Sequence, residues 1–312
     1  MAQLRQIKKR MIAVRTIQRI TKTMQMIATA KFTAAMARAK ASRPYVDRIR
    51  EMVTEVAAAA GDANHPLMSA PRAPSGKDLV LVIASDRGLC GAYNGHVLRT
   101  AMGRIRELRG AKREVQLETS GKKAVGYFRF AKVPITARHS FGDRPKFEEV
   151  EKLGDRLIED FTSGTIDSVR VVSMKFISNS RQVPEVMQLL PMTLPGARGA
   201  GDPSKAGASG GAGAEERSPA ARSREPHALY EFSPSSAELL DDLLPRCLKV
   251  SLYQAFMDAI VSENVMRMVA MKAATDNAGG LGRTLRRSYN RARQARITTE
   301  LTEIVSGAAA LE

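Results

Sequence analysis

LRQIKKRMIAVRTIQRITKTMQMIATAKF, Leu4 to Phe32, is the stretch whose reading decides the fold. Leu4, Ile7, Met11, Val14, Ile17, Ile20, Met24 and Ile27 recur every three or four residues, the spacing that lines apolar side chains along one face of an α-helix. From Gln3 to about Ala58 there is one proline, Pro44, and no glycine. The steps of 3, 4, 3, 3, 3, 4 and 3 predict a coiled-coil seam with one local overwinding. At 1.5 Å per residue the first forty residues or so would extend ~60 Å. A helix of that length cannot bury itself in a compact domain and needs a partner along its side.

The far end of the chain supplies one. Leu248, Leu252, Phe256, Ile260, Val265 and Met268 share a helical face that Leu281, Leu285, Ala292, Leu301 and Ile304 continue. Pro245 is expected in the first turn of this helix, after a short helix at Ser236–Leu244. Gly279, Gly280 and Gly282 each cost ~1 kcal/mol in a helix interior, so a break near Asn277 and a continuous helix of ~90 Å are equally open. Two terminal helices of similar length pair most simply antiparallel.

Between them the texture changes. GDANHPLMSAPRAPSG, residues 61–76, is a linker by its proline, glycine and small residues. Leu79–Ala84, Val115–Glu118 and Val169–Ile177 read as strands, separated by helical patterns at Tyr93–Leu108, Lys122–Phe130 and Phe147–Phe161. That alternation predicts a small open, Rossmann-like α/β domain over residues 77–233. Val186–Met192 and Leu229–Phe232 are further strand candidates, pairing as a hairpin. Between them Pro195–His227 is nearly all Gly, Ala, Ser, Pro and charge; such a segment buries too little apolar area to fold alone and reads as an inserted loop. The expected fold is therefore a long antiparallel coiled coil of residues 1–60 and 234–312 enclosing an α/β domain.

Lys and Arg total 49 against 32 Asp and Glu, a formal charge of +17, which calls for an acidic partner: nucleic acid, anionic lipid or an acidic protein. The charge is concentrated on the terminal helices. Residues 1–46 hold eleven Lys or Arg and no acid, and six Arg with no acid lie between Asp276 and Glu300. No base-stacking aromatics interleave with them, which disfavours a nucleic-acid arm. No run approaches the roughly 18 apolar residues that span a membrane. The basic opening continues as helix well past the length of a transit peptide, so it is read as mature helix. Cys90 and Cys247 show no CxxC spacing, which suggests a reducing compartment.

No GxxxxGK[ST] or GxGxxG motif occurs, and His65, His96, His139 and His227 have no metal-ligand spacing. Ser85–Gly91, SDRGLCG, could present Cys90 as a nucleophile, with His96 the only nearby base. The plainer reading is a tight glycine turn in which Asp86 pairs with Arg87.

LRQIKKRMIAVRTIQRITKTMQMIATAKF, ASRPY (Ala41–Tyr45), SDRGLCGAYN (Ser85–Asn94), SENVMRMVAMKAATDNAGG and YNRARQARITTELTEIVSGAAAL together resemble the opening, central and closing motifs of the gamma subunits of F-type ATP synthases, of bacterial type. The run I-T-x-E-x-x-E-x-x-x-G-A from Ile297 to Ala308 is the most specific of these. The resemblance implies a central rotor shaft inside a ring of α and β subunits, coupling rotation of the membrane c-ring to ATP synthesis at sites on the ring. The shaft would have no catalytic site, cofactor, metal or small-molecule substrate of its own. The epsilon subunit would be a further partner, nucleic acid would not, and the chain would sit peripherally on the cytoplasmic face of the bacterial plasma membrane. Carried over by position, Met24 and Arg267 match shaft residues near an acidic loop of each β subunit, and Gln294 and Thr298 match hydrogen-bonding positions higher in the bore. Arg43, Pro44 and Tyr45, with Tyr230, match the foot on the c-ring. Gly282 with Arg283, Arg286 and Arg287 departs from the bulkier or more acidic residues common in relatives. The inserted loop contains no cysteine pair, so the thiol switch of chloroplast relatives is not expected.

Overall fold

The structure, a computed structural model, describes residues 2–59, 65–69, 71, 74–193 and 235–309. Two helices dominate it: α1 (Ala2–Ala59) of 58 residues and the C-terminal α5 (Ser236–Ala309) of 74 residues, lengths of ~87 and ~110 Å. They run antiparallel. Ala35 and Ala39 pack with Met257 and Val261, and Thr275 Oγ1 donates to Thr21 Oγ1 at 2.8 Å. Gly279 and Gly282 of α5 lie against Gln18 and Val14 of α1.

The seam differs from the one hydrophobicity predicts. Its α1 side is Leu4, Ile7, Met11, Val14, Gln18, Thr21, Gln25, Ala28, Phe32, Ala35, Ala39, Ser42, Val46, Ile49, Val53 and Val56, all buried or half-buried. These positions alternate steps of three and four throughout, a strict heptad with no overwinding. On α5, Met268, Met271, Thr275, Ala278, Gly282, Leu285, Tyr289, Ala292 and Arg296 do the same. Ile17, Ile20 and Ile27 face outward at 51%, 52% and 53% exposure, and Leu281, Leu301 and Ile304 are likewise exposed. Mid-shaft, polar and small residues therefore hold the interface while isoleucines point away from it.

Helix α5 runs unbroken through Pro245 and through the Gly279–Gly282 cluster, so of the two open readings near Asn277 the continuous helix is the one observed. The glycines are a close approach between helices: a methyl group on Gly279 would lie 3.0 Å from Gln18 Nε2, and one on Gly282 3.9 Å from Val14 Cγ1. Pro245 lies inside α5, where its missing N–H and ring clash oppose helix. The buried neighbours Leu240, Leu244, Cys247 and Leu248 carry the helix through it by packing on the domain. No separate Ser236–Leu244 helix exists. Pro44 is likewise internal to α1, flanked by buried Ala39, Val46 and Ile49.

The domain is a five-stranded sheet in the order β3-β2-β1-β4-β5. Strand β1 (Lys77–Ile83) lies at the centre, parallel to β2 (Glu114–Ser120) and β4 (Ser168–Ser178). The three-residue β3 (Ala137–His139) adds in parallel outside β2. Strand β5 (Arg181–Leu190) pairs antiparallel with β4. The hairpin is thus β4–β5, and the proposed partner Leu229–Phe232 lies outside the described residues, as does the 195–227 insertion.

Both faces of β1 are covered, which is why Leu79–Ile83 is an unbroken apolar run. On one face Val80 and Val82 meet Val97, Ala101 and Ile105 of α2 (Tyr93–Gly110) and Phe128 of α3 (Lys122–Phe130). On the other, Leu79, Leu81 and Ile83 meet Leu153, Leu157 and Phe161 of α4 (Phe147–Thr162) and the bases of both long helices, including Val53 and Leu248. The shaft is rooted in the domain core.

Candidate functional site

Beyond that root, among the described residues, the two helices pack on each other. Their free portions carry the acid-poor basic surface, and outward along it run Ile12, Ile17, Ile20, Met26 and Ile27 of α1 and Leu281, Ile297, Leu301, Ile304 and Val305 of α5, each at least half exposed. Exposed apolar side chains in this number on a basic rod mark an interaction surface.

The residues matched by resemblance fall on three levels. Gln294 and Thr298 are exposed near the free end, one turn apart, with the Thr298 hydroxyl donating to the Gln294 carbonyl at 3.1 Å. Met24 is half-buried beside the seam. Arg43 and Tyr45 are exposed on α1 at the level of the domain, Tyr45 at 58%. Tyr230 lies outside the described residues.

Arg267 is placed otherwise, with a side chain only 12% exposed and turned onto its own domain. Its Nη2 lies 2.6 Å from Glu263 Oε1 and donates to the Arg87 carbonyl at 3.2 Å, while Nε donates to the Gly88 carbonyl at 3.4 Å. Nearby, Lys31 of α1 pairs with Asp143 in the loop before α4. The Lys31 bond, more than any other influence, holds the Asp143 carboxyl below its usual range. Burial pushes Glu263 up, and although Arg267 opposes this, Asp143 and Asp86 add to the rise. Burial and Glu263 also push the Tyr93 phenol well up. Asp86, Tyr93, Asp143 and Glu263 rim a small cleft at the C-terminal ends of β1 and β2, lined also by Phe141, Phe256 and Ile260, of about 30 Å³, a volume of the order of one water molecule.

The SDRGLCG turn that meets Arg267 is fixed from several sides. The Ser85 backbone N–H donates to Asn94 Oδ1 at 3.1 Å, and Asp86 accepts the N–H of Lys122 at 3.0 Å instead of pairing with Arg87. Gly121 has φ +99°, and a Cβ there would lie 2.2 Å from the Ala84 carbonyl oxygen. Cys90 is 2% exposed and accepts from Asn94 Nδ2 at 3.1 Å; neither His96 nor any other base bonds its thiol. Among the described residues no group of three His, Cys, Asp or Glu is arranged to hold a metal.

The family model for ATP synthase matches residues 3–311. The ATP synthase gamma chain of Rhodopirellula baltica is 40% identical over 313 residues, covering all of both chains. The chain belongs to the ATP synthase gamma chain family. Gamma chains of Leptospira biflexa and Heliobacterium modesticaldum are each 36% identical, over 100% and 99% of both chains. Among solved structures, a chain of the Euglena gracilis mitochondrial ATP synthase in its OSCP/F1/c-ring assembly superposes with a TM-score of 0.62 at 17% identity, over 99% of this chain and 95% of that one. A chain of the Tetrahymena thermophila central stalk and c-ring gives 0.53 at 19%, over 82% and 99%. The gamma-chain fold of helical pair plus α/β domain is therefore shared across these distances, and the exposed stripe lies on its helical pair.

Sequence reasoning missed the partners of Arg267. The polar seam positions Gln18, Thr21 and Gln25 were accessible by extending the heptad from Leu4 to Val14, but nothing in the sequence connects Lys31 with Asp143 or Arg267 with Arg87.

Proposed function

We propose that this chain is the central-stalk rotor of a bacterial F-type ATP synthase, coupling proton-driven rotation of a membrane c-ring to conformational cycling of catalytic β subunits, without a catalytic site of its own. One observation carries the reading: a rooted helical pair whose free surface is basic and studded with exposed apolar side chains. Such an exterior suits a rod enclosed by other subunits. Each face of an asymmetric rod stabilises a different state of the subunit it meets, so turning the rod shifts populations among the states of the surrounding subunits.

In this reading residues 1–60 and 234–312 form the shaft and 77–233 the domain at its foot. Met24, Gln294 and Thr298 would meet the α and β subunits of the ring, with Arg267 at the level of the acidic β loop. Arg43, Tyr45 and Tyr230 would face the c-ring, and epsilon would bind alongside. The chain would then lie peripherally on the cytoplasmic face of the plasma membrane, held by its partners, for no helix among the described residues is long and apolar enough to cross it.

The test is reconstitution with α and β subunits. The expected result is a complex whose ATP hydrolysis depends on this chain; a ring that neither assembles around it nor gains activity from it rejects the proposal. Within a working complex, Met24→Lys places a charge beside the seam and should lower the ratio of proton pumping to hydrolysis more than it lowers assembly.

A further inference from the structure

We infer that Arg267 is a positioning residue, which serves coupling by bracing the Arg87–Leu89 turn against α5 and not by offering its own charge to a neighbouring subunit. The inference rests on the rotor reading above and concerns how one residue of the shaft acts.

Three observations carry it. Two of the three guanidinium nitrogens are already engaged: Nη2 has Glu263 2.6 Å away as counter-charge and donates to the Arg87 carbonyl at 3.2 Å, and Nε donates to the Gly88 carbonyl at 3.4 Å. With only 12% of the side chain exposed and Glu263 against it as counter-charge, little net field is left for another molecule.

The braced turn, secondly, needs bracing. Leu89 is a non-glycine residue at φ +64°, a left-handed conformation that a leucine holds only when its surroundings enforce it. The rest of the turn is fitted closely to α5, since a methyl on Gly91 would touch Ala270 Cβ at 3.6 Å and lie 3.8 Å from the Met266 carbonyl. On the opposite side Asn94 holds Ser85, and the Lys122 N–H holds Asp86. Arg267 is the only side chain of the described residues that ties the Arg87 and Gly88 carbonyls to the shaft.

Thirdly, what the joint displays to a neighbour is the turn. Leu89 is 61% exposed and Arg87 is exposed, while the guanidinium beneath them is covered. A planar guanidinium spans two carbonyls and a carboxylate at once, a geometry that the single ammonium of lysine cannot reproduce.

The experiment uses the complex assembled with α and β subunits and the membrane sector, comparing the unmodified chain with Arg267→Lys, Arg267→Ala and Glu263→Ala. Two quantities are read: amide hydrogen exchange of residues 86–91, and the ratio of ATP-driven proton pumping to ATP hydrolysis. Bracing predicts that all three variants exchange at 86–91 about tenfold faster or more, and that the pumping ratio falls in each in step with that loosening. Glu263→Ala is decisive, because it frees the Arg267 charge instead of removing it. Full coupling in Arg267→Lys or in Glu263→Ala overturns the inference in favour of a direct charge contact. Lost coupling with unchanged exchange at 86–91 overturns it too, as does faster exchange with coupling intact. An unmodified chain that supports no hydrolysis rejects the rotor reading instead, and is distinguished by being measured first.

Discussion

Replacing Gly282 with alanine discriminates between a glycine that weakens the shaft and one that its partner helix requires. The added methyl would lie 3.9 Å from Val14 Cγ1, with no closer neighbour outside the local helix. That is ordinary van der Waals contact, so no side chain has to move. An interior glycine costs ~1 kcal/mol relative to alanine, and a half-covered methyl contributes about 0.4 kcal/mol more, half the value of a buried CH₂. The variant should therefore hold this part of the pair closed more firmly by about 1–1.5 kcal/mol. Because ~1.4 kcal/mol is tenfold in an opening equilibrium, native-state amide exchange across residues 276–290 should slow about five- to tenfold. Exchange near Val53 and Leu248, in the domain core, should stay unchanged. Gly279→Ala is the graded companion: its methyl would meet Gln18 Nε2 at 3.0 Å, the movable end of a flexible side chain, so part of the gain is spent turning that amide aside. Faster exchange in Gly282→Ala would refute the reasoning, because the helices would then have to approach more closely than the register of Val14 and Gly282 allows.

At Gly121, alanine should prevent stable folding, since its Cβ would meet the Ala84 carbonyl oxygen at 2.2 Å in a positive-φ backbone; a soluble variant with an unchanged thermal midpoint would contradict this. Arg113 bonds Asp78 at 2.6 Å and Asp167 at 2.8 Å, two nearly buried carboxylates at the N-terminal ends of β1 and β4. Arg113→Ala should cost about 1.5–3 kcal/mol in urea unfolding, the worth of hydrogen bonds to charged groups, because Ser168 and Arg170 still hold Asp78 and Ser75 and Gly76 still hold Asp167, and a loss below ~1 kcal/mol would show that solvent reaches the pair. Burial alone would push the Glu118 carboxyl up, but bonds from His139 and Arg156 outweigh it and hold it below the usual carboxylate range. Its folded pKa being the lower one, its contribution is present at neutral pH and is lost as pH falls below about 4.3 through that depressed value. Glu118→Gln should accordingly flatten the acid limb of a stability-against-pH curve, and an unchanged limb would assign acid sensitivity to other carboxylates.

Much of this architecture was legible because it rests on local pattern. The parallel strands and the helices between them emerge at nearly the expected bounds, as β1 from Leu79–Ala84 and β4 from Val169–Ile177 show. The misreadings share one cause, the weight given to hydrophobicity over register. Ile17, Ile20 and Ile27 looked like seam residues because they are apolar, yet the heptad through Val14 leads to Gln18, Thr21 and Gln25. Pro245 reads as a helix start and the glycine penalties leave a break near Asn277 open, whereas burial around Pro245 and the close approach at Gly279 carry one helix through both. Strand β3, at three residues, is too short to carry a period. The site was legible only as a surface. That α1 and α5 carry an exposed basic face follows from composition, but that Arg267 turns inward depends on a turn 179 residues earlier in the chain, a separation that no local pattern bridges.

The outward isoleucines also govern how a cell can make this chain. On the rotor reading, until the helical pair is enclosed each new copy leaves apolar side chains open to wrong contacts, with only its basic charge to keep copies apart. Supply of the subunits that would enclose it would then have to keep pace with supply of the rod, and a surplus of rod would be lost to clumping or proteolysis. The stoichiometry of the assembly is in that sense enforced by the side of the helix that faces water.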